Sequence, residues 1–274
     1  MSTGNFTLQT KTCLEQAGNN FVFLVGDYNN NGTPDVFAIK INGTGSKKTE
    51  VHILDGASKF SKFLLHAKTA LEETDDKYEF CLGDYNKDGF LDLYCIRKNN
   101  TGSHSTEVHI LSGKDKYNSF LLHTGTKLEE TDKNWKFGLS DFNGDGKLDL
   151  FCIKKANTGS NKTEVHILGG NDNFKKFIFQ GASVLETTDD KWDFFVYQNN
   201  VYGIKKRNTG SHHTEIHVLS AESKFKNFKL QKGTKLEEAE DDVFAFDVHG
   251  DQLYAIKKKG TSNSTEVHCL HIQL

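Results

Sequence analysis

The chain has 274 residues, which at roughly 150 residues per domain allows one large all-β domain or two smaller domains. Its 34 Lys and Arg nearly balance its 37 Asp and Glu, giving a net charge of -3, so we expect neither a nucleic acid nor an anionic membrane as its partner. No apolar run approaches the roughly 20 residues of a membrane helix and no signal peptide is visible, so we expect no membrane insertion and a protein that is cytoplasmic or released without a classical signal.

The residue composition favours short strands over helices. The chain contains 24 Gly and 21 Phe, with Thr, Val and Ile between clusters of Asn, Asp and Gly. The five cysteines are odd in number and lack Cys-x-x-Cys spacing, which argues against a disulfide framework or a zinc site. We therefore expect buried thiols in a reducing compartment at Cys13, Cys81, Cys95, Cys152 and Cys269.

An internal repeat dominates the sequence. The string Thr-Glu-(Val/Ile)-His occurs five times, with spacings of 57, 57, 51 and 51 residues, at Thr49, Thr106, Thr163, Thr214 and Thr265. The chain opens with a run beginning at Phe6 that matches the last run of a repeat unit. Each unit then contains four strand-like runs in order: an aromatic alternating run, a run with a small central residue, the Thr-Glu-Val-His run, and a Phe-Leu-Leu-His run.

Four strands in a serial repeat of about 55 residues are typical of a β-propeller blade. The sequence therefore predicts an all-β fold in which residues 1–274 form a single five-bladed β-propeller of four-stranded blades. Because the chain begins with a fourth-strand run and ends with a third-strand run, we expect the N-terminal strand to pair with the C-terminal blade and close the ring.

Three repeats carry an Asp-rich loop between their first and second strands. Oxygen-bearing side chains occupy positions 1, 3, 5 and 9, Gly occupies position 6, and position 7 would contribute its backbone carbonyl, as calcium requires. The alternative is that such clusters only form hairpin turns. We expect three Ca²⁺ sites, at Asp27, Asn29, Asn31, Thr33 and Asp35; at Asp84, Asn86, Asp88, Phe90 and Asp92; and at Asp141, Asn143, Asp145, Lys147 and Asp149.

The first loop should bind calcium most weakly, because Asn31 replaces a carboxylate. The fourth and fifth repeats shorten this loop to Gln198-Asn199-Asn200 and His249-Gly250-Asp251, which accounts for the drop in period, so we expect no metal there.

This loop resembles the Asp-x-Asn-x-Asp-Gly-x-x-Asp blades of integrin α-subunit (FG-GAP) propellers, of bacterial VCBS-type repeats, and of propeller lectins such as those of Psathyrella and Photorhabdus. The Asn-Thr-Gly-Ser and Leu-Glu-Glu-Thr-Asp strings are also similar to repeat tails of secreted muramidases. The resemblance covers essentially the whole chain. It implies a calcium-stabilised propeller that binds sugars between blades, often N-acetylglucosamine or fucose and galactose types, although several of those lectins have seven blades.

Polar and aromatic side chains recur on the face opposite the calcium loops. An aromatic residue opens the first strand in every repeat except the fifth, where Val243 stands. Amides and carboxylates beside an aromatic ring suit a sugar site. The alternatives are that the Glu and His side chains lock blade against blade and that the aromatics are core. The candidate glycan-binding residues are Glu72, Tyr78, Arg97, Glu107, His109, Glu129, Trp135, Lys154, Glu164, His166, Glu186, Trp192, Lys205, Glu215 and His217.

These patterns predict a multivalent lectin whose partners are glycans or glycoconjugates. We expect a monomer, with an oligomer as the alternative. A protein-interaction scaffold like the integrin head is the alternative, and a glycoside hydrolase is a third hypothesis. We expect no enzymatic activity and no catalytic residues, because the histidines outside the repeat pattern do not gather in the sequence: His104, His212, His213, His249 and His271.

Overall fold

A computed structural model describes residues 3–240 and 242–274. The fold is all-β: twenty strands form five antiparallel four-stranded sheets, the five blades of a β-propeller. This confirms the predicted fold class. The residues described contain two single-turn 3-10 helices, Gly170–Asp172 and Thr261–Asn263, and no helix that is long and apolar enough to cross a membrane.

The strands follow one another closely along the chain, each separated by a turn or a short loop. They are β1 (Phe6–Glu15), β2 (Phe21–Gly26), β3 (Asp35–Lys40), β4 (Lys48–Leu54), β5 (Phe63–Glu72), β6 (Tyr78–Gly83), β7 (Asp92–Arg97), β8 (Ser105–Leu111), β9 (Phe120–Glu129), β10 (Trp135–Ser140), β11 (Asp149–Lys154), β12 (Lys162–Leu168), β13 (Phe177–Glu186), β14 (Trp192–Tyr197), β15 (Asn200–Lys205), β16 (His213–Leu219), β17 (Phe228–Glu237), β18 (Phe244–His249), β19 (Gln252–Lys257) and β20 (Ser264–His271).

Four blades are built from consecutive strands, and the fifth joins the two ends of the chain. Blades one to four comprise β2–β5, β6–β9, β10–β13 and β14–β17, whereas blade five has the order β18-β19-β20-β1. In blade five, β1 pairs antiparallel with β20, with Gln9 opposite His268. The hydroxyl groups of Thr12 and Thr265 share a hydrogen bond of 2.5 Å between these strands. The N-terminal strand therefore closes blade five as predicted.

The register of blade five corrects one detail of the sequence analysis. Val243 was expected in place of the aromatic residue that opens the first strand. In the structure β18 begins at Phe244, which pairs with Lys257 as Phe21 pairs with Lys40 in blade one. Phe244 is therefore the equivalent aromatic residue, and all five first strands begin with one.

Close contacts divide the chain into two compact units. The first comprises the chain up to Tyr94, Ile110–Leu122 and Ala239–Gln273, and the second comprises Cys95–His109, His123–Glu238 and Leu274. Blades one and five thus lie in the first unit, and blades three and four lie in the second.

Each unit has its own hydrophobic core, formed where two sheets face each other. In the first unit, Phe23 and Ala38 of blade one belong to the same buried cluster as Ile256 and Val267 of blade five. In the second unit, buried aromatic side chains dominate the cluster: Phe151, Trp192, Phe194 and Phe225. Alternating residues of the third strands are buried, as the period-2 pattern indicates, whereas the second strands are buried on both faces.

Small residues occur where neighbouring sheets approach closely. Gly138 in β10 faces β14, and a Cβ atom built on it would lie 2.5 Å from Cγ2 of Val196. Any larger residue would therefore require the strands to separate. All five cysteines are free thiols, and burial raises the pKa of Cys269 to about 12. Cys13 is only partly buried, so the expectation of five buried thiols is wrong at that position.

Candidate functional site

The three Asp-rich loops share one hydrogen-bonded shape. In the first loop, Oδ1 of Asp27 accepts the N–H of Asn31 at 3.1 Å and Oδ2 accepts the N–H of Gly32 at 2.7 Å. The corresponding distances are 3.1 and 2.8 Å in both other loops. The Gly at position 6 has a positive φ in each loop, 82°, 86° and 81°, a left-handed conformation that glycine adopts without strain.

The carboxylate at position 9 of each loop is fully buried. Both oxygens of Asp35 accept backbone hydrogen bonds, from Tyr28 at 3.0 Å and from Gly56 at 2.8 Å. Burial raises the pKa of Asp35 to about 6, and it also raises the pKa values of Asp92 and Asp149. Position 9 therefore anchors the loop to the start of the second strand and to the turn after the third.

In residues 3–240 and 242–274, no group of three or more His, Cys, Asp or Glu side chains is arranged to hold a metal ion. The predicted calcium loops have a different donor set, because each combines carboxylates with Asn amide and backbone carbonyl oxygens. Such oxygen donors fit a hard cation, and each carboxylate oxygen that accepts one N–H retains a second lone pair. Calcium binding at these loops stays a prediction.

The repeated Glu and His side chains of the third strands bond within their own blade. Nε2 of each His lies 3.1–3.5 Å from a carboxylate oxygen of the Glu two residues before it. Nδ1 of each His contacts the fourth strand of the same blade, for example His66 at 2.8 Å from His52 and Gln180 at 3.0 Å from His166. The expectation that these residues lock blade against blade is therefore wrong for these bonds.

A serine extends this chain of hydrogen bonds in blades one to four. Ser46 donates to Glu50 at 2.6 Å, and Ser160 donates to Glu164 at 2.7 Å. The same bond joins Ser103 to Glu107 at 2.8 Å and Ser211 to Glu215 at 3.0 Å. Burial lowers the pKa values of His52, His109, His166 and His217. These histidines are therefore neutral structural side chains near pH 7.

The other predicted glycan-binding residues do not form a single cluster. Trp135 and Trp192 pack on His166 and His217 at ring-centroid distances of 5.4 and 4.9 Å. Nζ of Lys154 and of Lys205 lies over these Trp rings at 5.5 and 6.0 Å. Tyr78 stacks on Phe80, and Arg97 donates to the carbonyl of Asn100. At the ends of the fourth strands, Glu72 and Glu186 form exposed ion pairs with Lys48 and Lys162, and Glu129 is exposed.

A polar groove of about 580 Å³ lies in the second unit, between blades three and four. It is lined by the turn after β11, by the segment that leads into β14, and by Trp192, Lys205 and Asn208. Of the predicted glycan-binding residues, the groove therefore contains only Trp192 and Lys205.

Sequence analysis missed two aspartates on the first strands of blades four and five. Asp193 lies in β14, where Nζ of Lys206 is 3.0 Å from Oδ2 and Nζ of Lys136 is 3.4 Å from Oδ1. Burial alone would raise the pKa of Asp193, but the charges of Lys136 and Lys206 outweigh it and lower the pKa to about 2. Asp193 is therefore ionised at any ordinary pH.

Asp247 in β18 has the opposite character. Oδ2 accepts the backbone N–H of Val25 at 2.6 Å, and Oδ1 accepts the N–H of Val248 at 2.7 Å. Burial raises the pKa of Asp247 to about 7, although these two hydrogen bonds lower it in part. The signal in the sequence was a break in the repeat, because Leu24, Cys81, Gly138 and Phe195 stand at the equivalent position.

Comparison with known proteins gives structural matches alone. No family model and no curated protein matches the chain. RS223 β-xylosidase matches with a TM-score of 0.56 and 10% identity, over 97% of this chain and 95% of that one. The α-L-arabinofuranosidase PaAbf62A of Podospora anserina, in complex with cellotriose, matches with a TM-score of 0.54 and 8% identity, over 96% and 99%. The GH43 β-1,3-galactosidase BT3683, with galactodeoxynojirimycin, gives 0.53 and 9%, over 95% and 94%.

These matches share a fold with the chain, and at such identity they show the fold alone. All three are named as glycoside hydrolases and none as a lectin, which is against the prediction of a multivalent lectin and the expectation of no enzymatic activity. They belong to the class of the third hypothesis, a glycoside hydrolase. The comparisons support neither a lectin nor an FG-GAP family. The resemblance to calcium-loop repeats therefore stays untested.

Proposed function

We propose that this protein is a glycoside hydrolase in which Asp247 is the general acid. Hydrolysis of a glycosidic bond requires a carboxylic acid that protonates the leaving oxygen. Asp247 is fixed by the N–H groups of Val25 and Val248, and its pKa of about 7 lets it retain a proton near neutral pH. This carboxyl group, at a position where no other blade has one, is the observation that carries the proposal.

Hydrolysis also requires a second carboxyl group that is ionised, as a base or as a nucleophile. Asp193 is ionised, but Lys136 and Lys206 both lie within 3.4 Å of its carboxylate, so its charge serves to pair these two cations. Asp247 is therefore the one residue to which the proposal gives a catalytic role.

The substrates to test first are those of the structural neighbours. Those proteins are named as a xylosidase, an arabinofuranosidase and a galactosidase, and a further match, the GH43_1 enzyme from Xanthomonas citri, is complexed with xylotriose. We propose that the substrate is a neutral pentose- or galactose-containing oligosaccharide. Glycan partners were already expected from the sequence, and in this proposal they are substrates.

The experiment is a turnover assay on aryl xylosides, arabinofuranosides and galactosides and on xylotriose. Asp247→Asn should lower kcat by at least 10²-fold, because an amide cannot donate the required proton. Asp251→Asn is the matched control, since this Asp lies in the turn between β18 and β19 and its side chain is 65% exposed beside His271. Folded wild-type protein that cleaves none of these substrates would overturn the proposal.

We also propose that calcium occupies the three Asp-rich loops in a structural role. The loops supply oxygen atoms only, and their left-handed glycines produce the sharp turn that brings alternate side chains together. Calcium held there would tie the first strand of a blade to its second. No step of the proposed hydrolysis uses it.

A further inference from the structure

A threonine and a glutamate form the same clamp in three of the five blades, blades one, two and four. The backbone N–H and the hydroxyl of Thr44, in the turn after β3, both contact Oε1 of Glu73, at 2.7 and 2.9 Å. Equivalent pairs have an N–H distance of 2.7 Å and hydroxyl distances of 2.8–2.9 Å: Thr101 with Glu130 and Thr209 with Glu238. Each turn therefore holds one carboxylate oxygen by the backbone N–H and by the threonine hydroxyl, which in blades one and four also lies 2.7 Å from a carbonyl of its own turn.

This clamp favours an anion. The hydrogen bonds from Thr44 lower the pKa of Glu73, and those from Thr101 and Thr209 do the same for Glu130 and Glu238. An N–H and a hydroxyl that converge on one oxygen stabilise the ionised carboxyl group over the neutral one. The turn is thus a small carboxylate-binding device that the chain normally fills from within.

Blade three has the threonine but not the glutamate. Thr158 occupies the turn, and Thr187 stands where blades one, two and four have Glu73, Glu130 and Glu238. The hydroxyl of Thr158 donates to the carbonyl of Lys162 at 2.7 Å, and the N–H of Thr187 donates to the carbonyl of Asn161 at 3.4 Å. Thr187 has no carboxyl group, so it cannot replace the missing glutamate at Thr158.

The groove between blades three and four opens at this place. Both Thr158 and Thr187 line it, together with the side chains of Asn157, Asn161 and Asn208. Its charged lining residues are Lys205, Lys191 and Asp189, and Lys191 is paired with Asp189 at 2.7 Å. The Lys191–Asp189 pair carries no net charge, so Lys205 gives the groove lining a net charge of about +1. This suits a ligand with one negative charge.

We propose that this groove is a binding site for a small polar carboxylate, whose carboxyl group occupies the position of the missing glutamate at Thr158. The ligand carboxylate accepts a hydrogen bond from the backbone N–H of Thr158. The hydroxyl of Thr158 donates a second one once its O–H has rotated away from the carbonyl of Lys162. The Asn side chains and Thr187 face the polar remainder of the ligand. The chemistry fits a uronic acid or an amino acid with a side-chain carboxylate. The site uses neither Asp193 nor Asp247, so it is independent of the proposed hydrolase activity.

Isothermal titration calorimetry of the full chain with D-glucuronate and with L-glutamate tests this proposal and distinguishes the two sources. D-glucose and L-glutamine are the matched neutral probes. We expect saturable binding of one carboxylate, with a stoichiometry of one site per chain, and at least ten-fold weaker binding of its neutral partner. Binding of neither carboxylate at 10 mM, or equal binding of carboxylate and neutral probe, would overturn the proposal.

Two variants locate the site. Thr187→Glu restores the internal clamp and should weaken binding of the carboxylate probe at least ten-fold, whereas Ser119→Glu, which adds the same charge at an exposed residue outside the groove, should leave it unchanged. Glu130→Thr removes the internal carboxylate from blade two and should raise the stoichiometry from one to two. Circular dichroism establishes that each variant is folded. If Thr187→Glu is folded and binds as wild type, the site is wrong; if it does not fold, the stoichiometry of Glu130→Thr decides.

Discussion

The backbone N–H of Val25 donates a 2.6 Å hydrogen bond to Oδ2 of Asp247, joining the first strand of blade one to the first strand of blade five. Leu24, Cys81, Gly138 and Phe195 occupy the position of Asp247 in the other blades, so the bond has no counterpart there. The carboxyl group is partly buried, and its pKa of about 7 means that it gains or loses its proton within the physiological range.

Stability should depend on pH through Asp247. Its pKa is about 7 in the folded protein against 3.8 for an ordinary aspartate, so between these values the folded state retains a proton that the unfolded state has released. Its contribution to stability is complete below pH 3.8 and is lost as the pH rises through 7. Urea unfolding from pH 4 to pH 8 should therefore show Asp247→Asn gaining stability relative to wild type.

Asp76→Asn, at an exposed aspartate just before β6, serves as the control and should keep a constant difference from wild type over that range. A constant difference for Asp247→Asn as well would show that burial does not raise the pKa of this group.

Replacing Gly138 by Ala should destabilise the second unit. The added Cβ would lie 2.5 Å from Cγ2 and 2.7 Å from Cβ of Val196, so β10 and β14 would have to move apart. Overpacking of this kind costs about 1–3 kcal/mol in the free energy of unfolding. Gly210→Ala is the control, because nothing lies within 4 Å of the Cβ built there. Chemical denaturation that finds the two variants equally stable would contradict the close approach of these strands.

Removing β1 should open blade five. This strand supplies the outermost ladder of the sheet β18-β19-β20-β1, and the hydroxyl of Thr12 bonds to that of Thr265. A chain lacking residues 1–15 would expose the whole edge of β20, so we expect loss of the cooperative thermal transition measured by circular dichroism. A synthetic peptide of residues 1–16, added in excess, should restore that transition. An unchanged transition in the shortened chain would show that β1 is dispensable.

Calcium should raise the midpoint of thermal unfolding if the Asp-rich loops bind it. A site at one hundred times its dissociation constant adds about 2.7 kcal/mol of stability. Asp88→Asn makes the second loop resemble the first, which has Asn31 at the same position, and should weaken binding. Asn31→Asp should strengthen it. Differential scanning calorimetry with calcium and with chelator measures both effects, and identical scans for wild type would reject the proposed sites.

The fold was predictable from the sequence because each strand pattern occurs five times in the repeat. The period-2 pattern of runs such as Trp135, Phe137 and Leu139 gave the strands, and the out-of-phase ends gave the pairing of β1 with β20. The prediction was wrong at Val243, because the fifth repeat differs from the others in the residues before its first strand. Only the strand pairing in the structure places Phe244 opposite Lys257.

The candidate site was not predictable in the same way. The repeat favoured Glu and His residues such as Glu164 and His166 as site residues. In the structure these two side chains hydrogen-bond to each other within one blade. The residues that carry the proposals are exceptions to the repeat, Asp247 and Thr187. Their meaning depends on neighbours that are distant in sequence, such as Val25, and these only the structure identifies.

The central claim, that the protein is a glycoside hydrolase with Asp247 as its acid, is tested most directly by proton NMR. Xylotriose, an aryl arabinofuranoside and an aryl galactoside are each incubated with wild-type protein and with Asp247→Asn, and the rate at which a sugar is released is measured. We predict that wild type releases a free reducing sugar from at least one of them and that Asp247→Asn, although folded, does so at least 10²-fold more slowly. Equal rates for the two proteins would contradict the role of Asp247, and no release by folded wild type from any of the three would contradict the hydrolase itself.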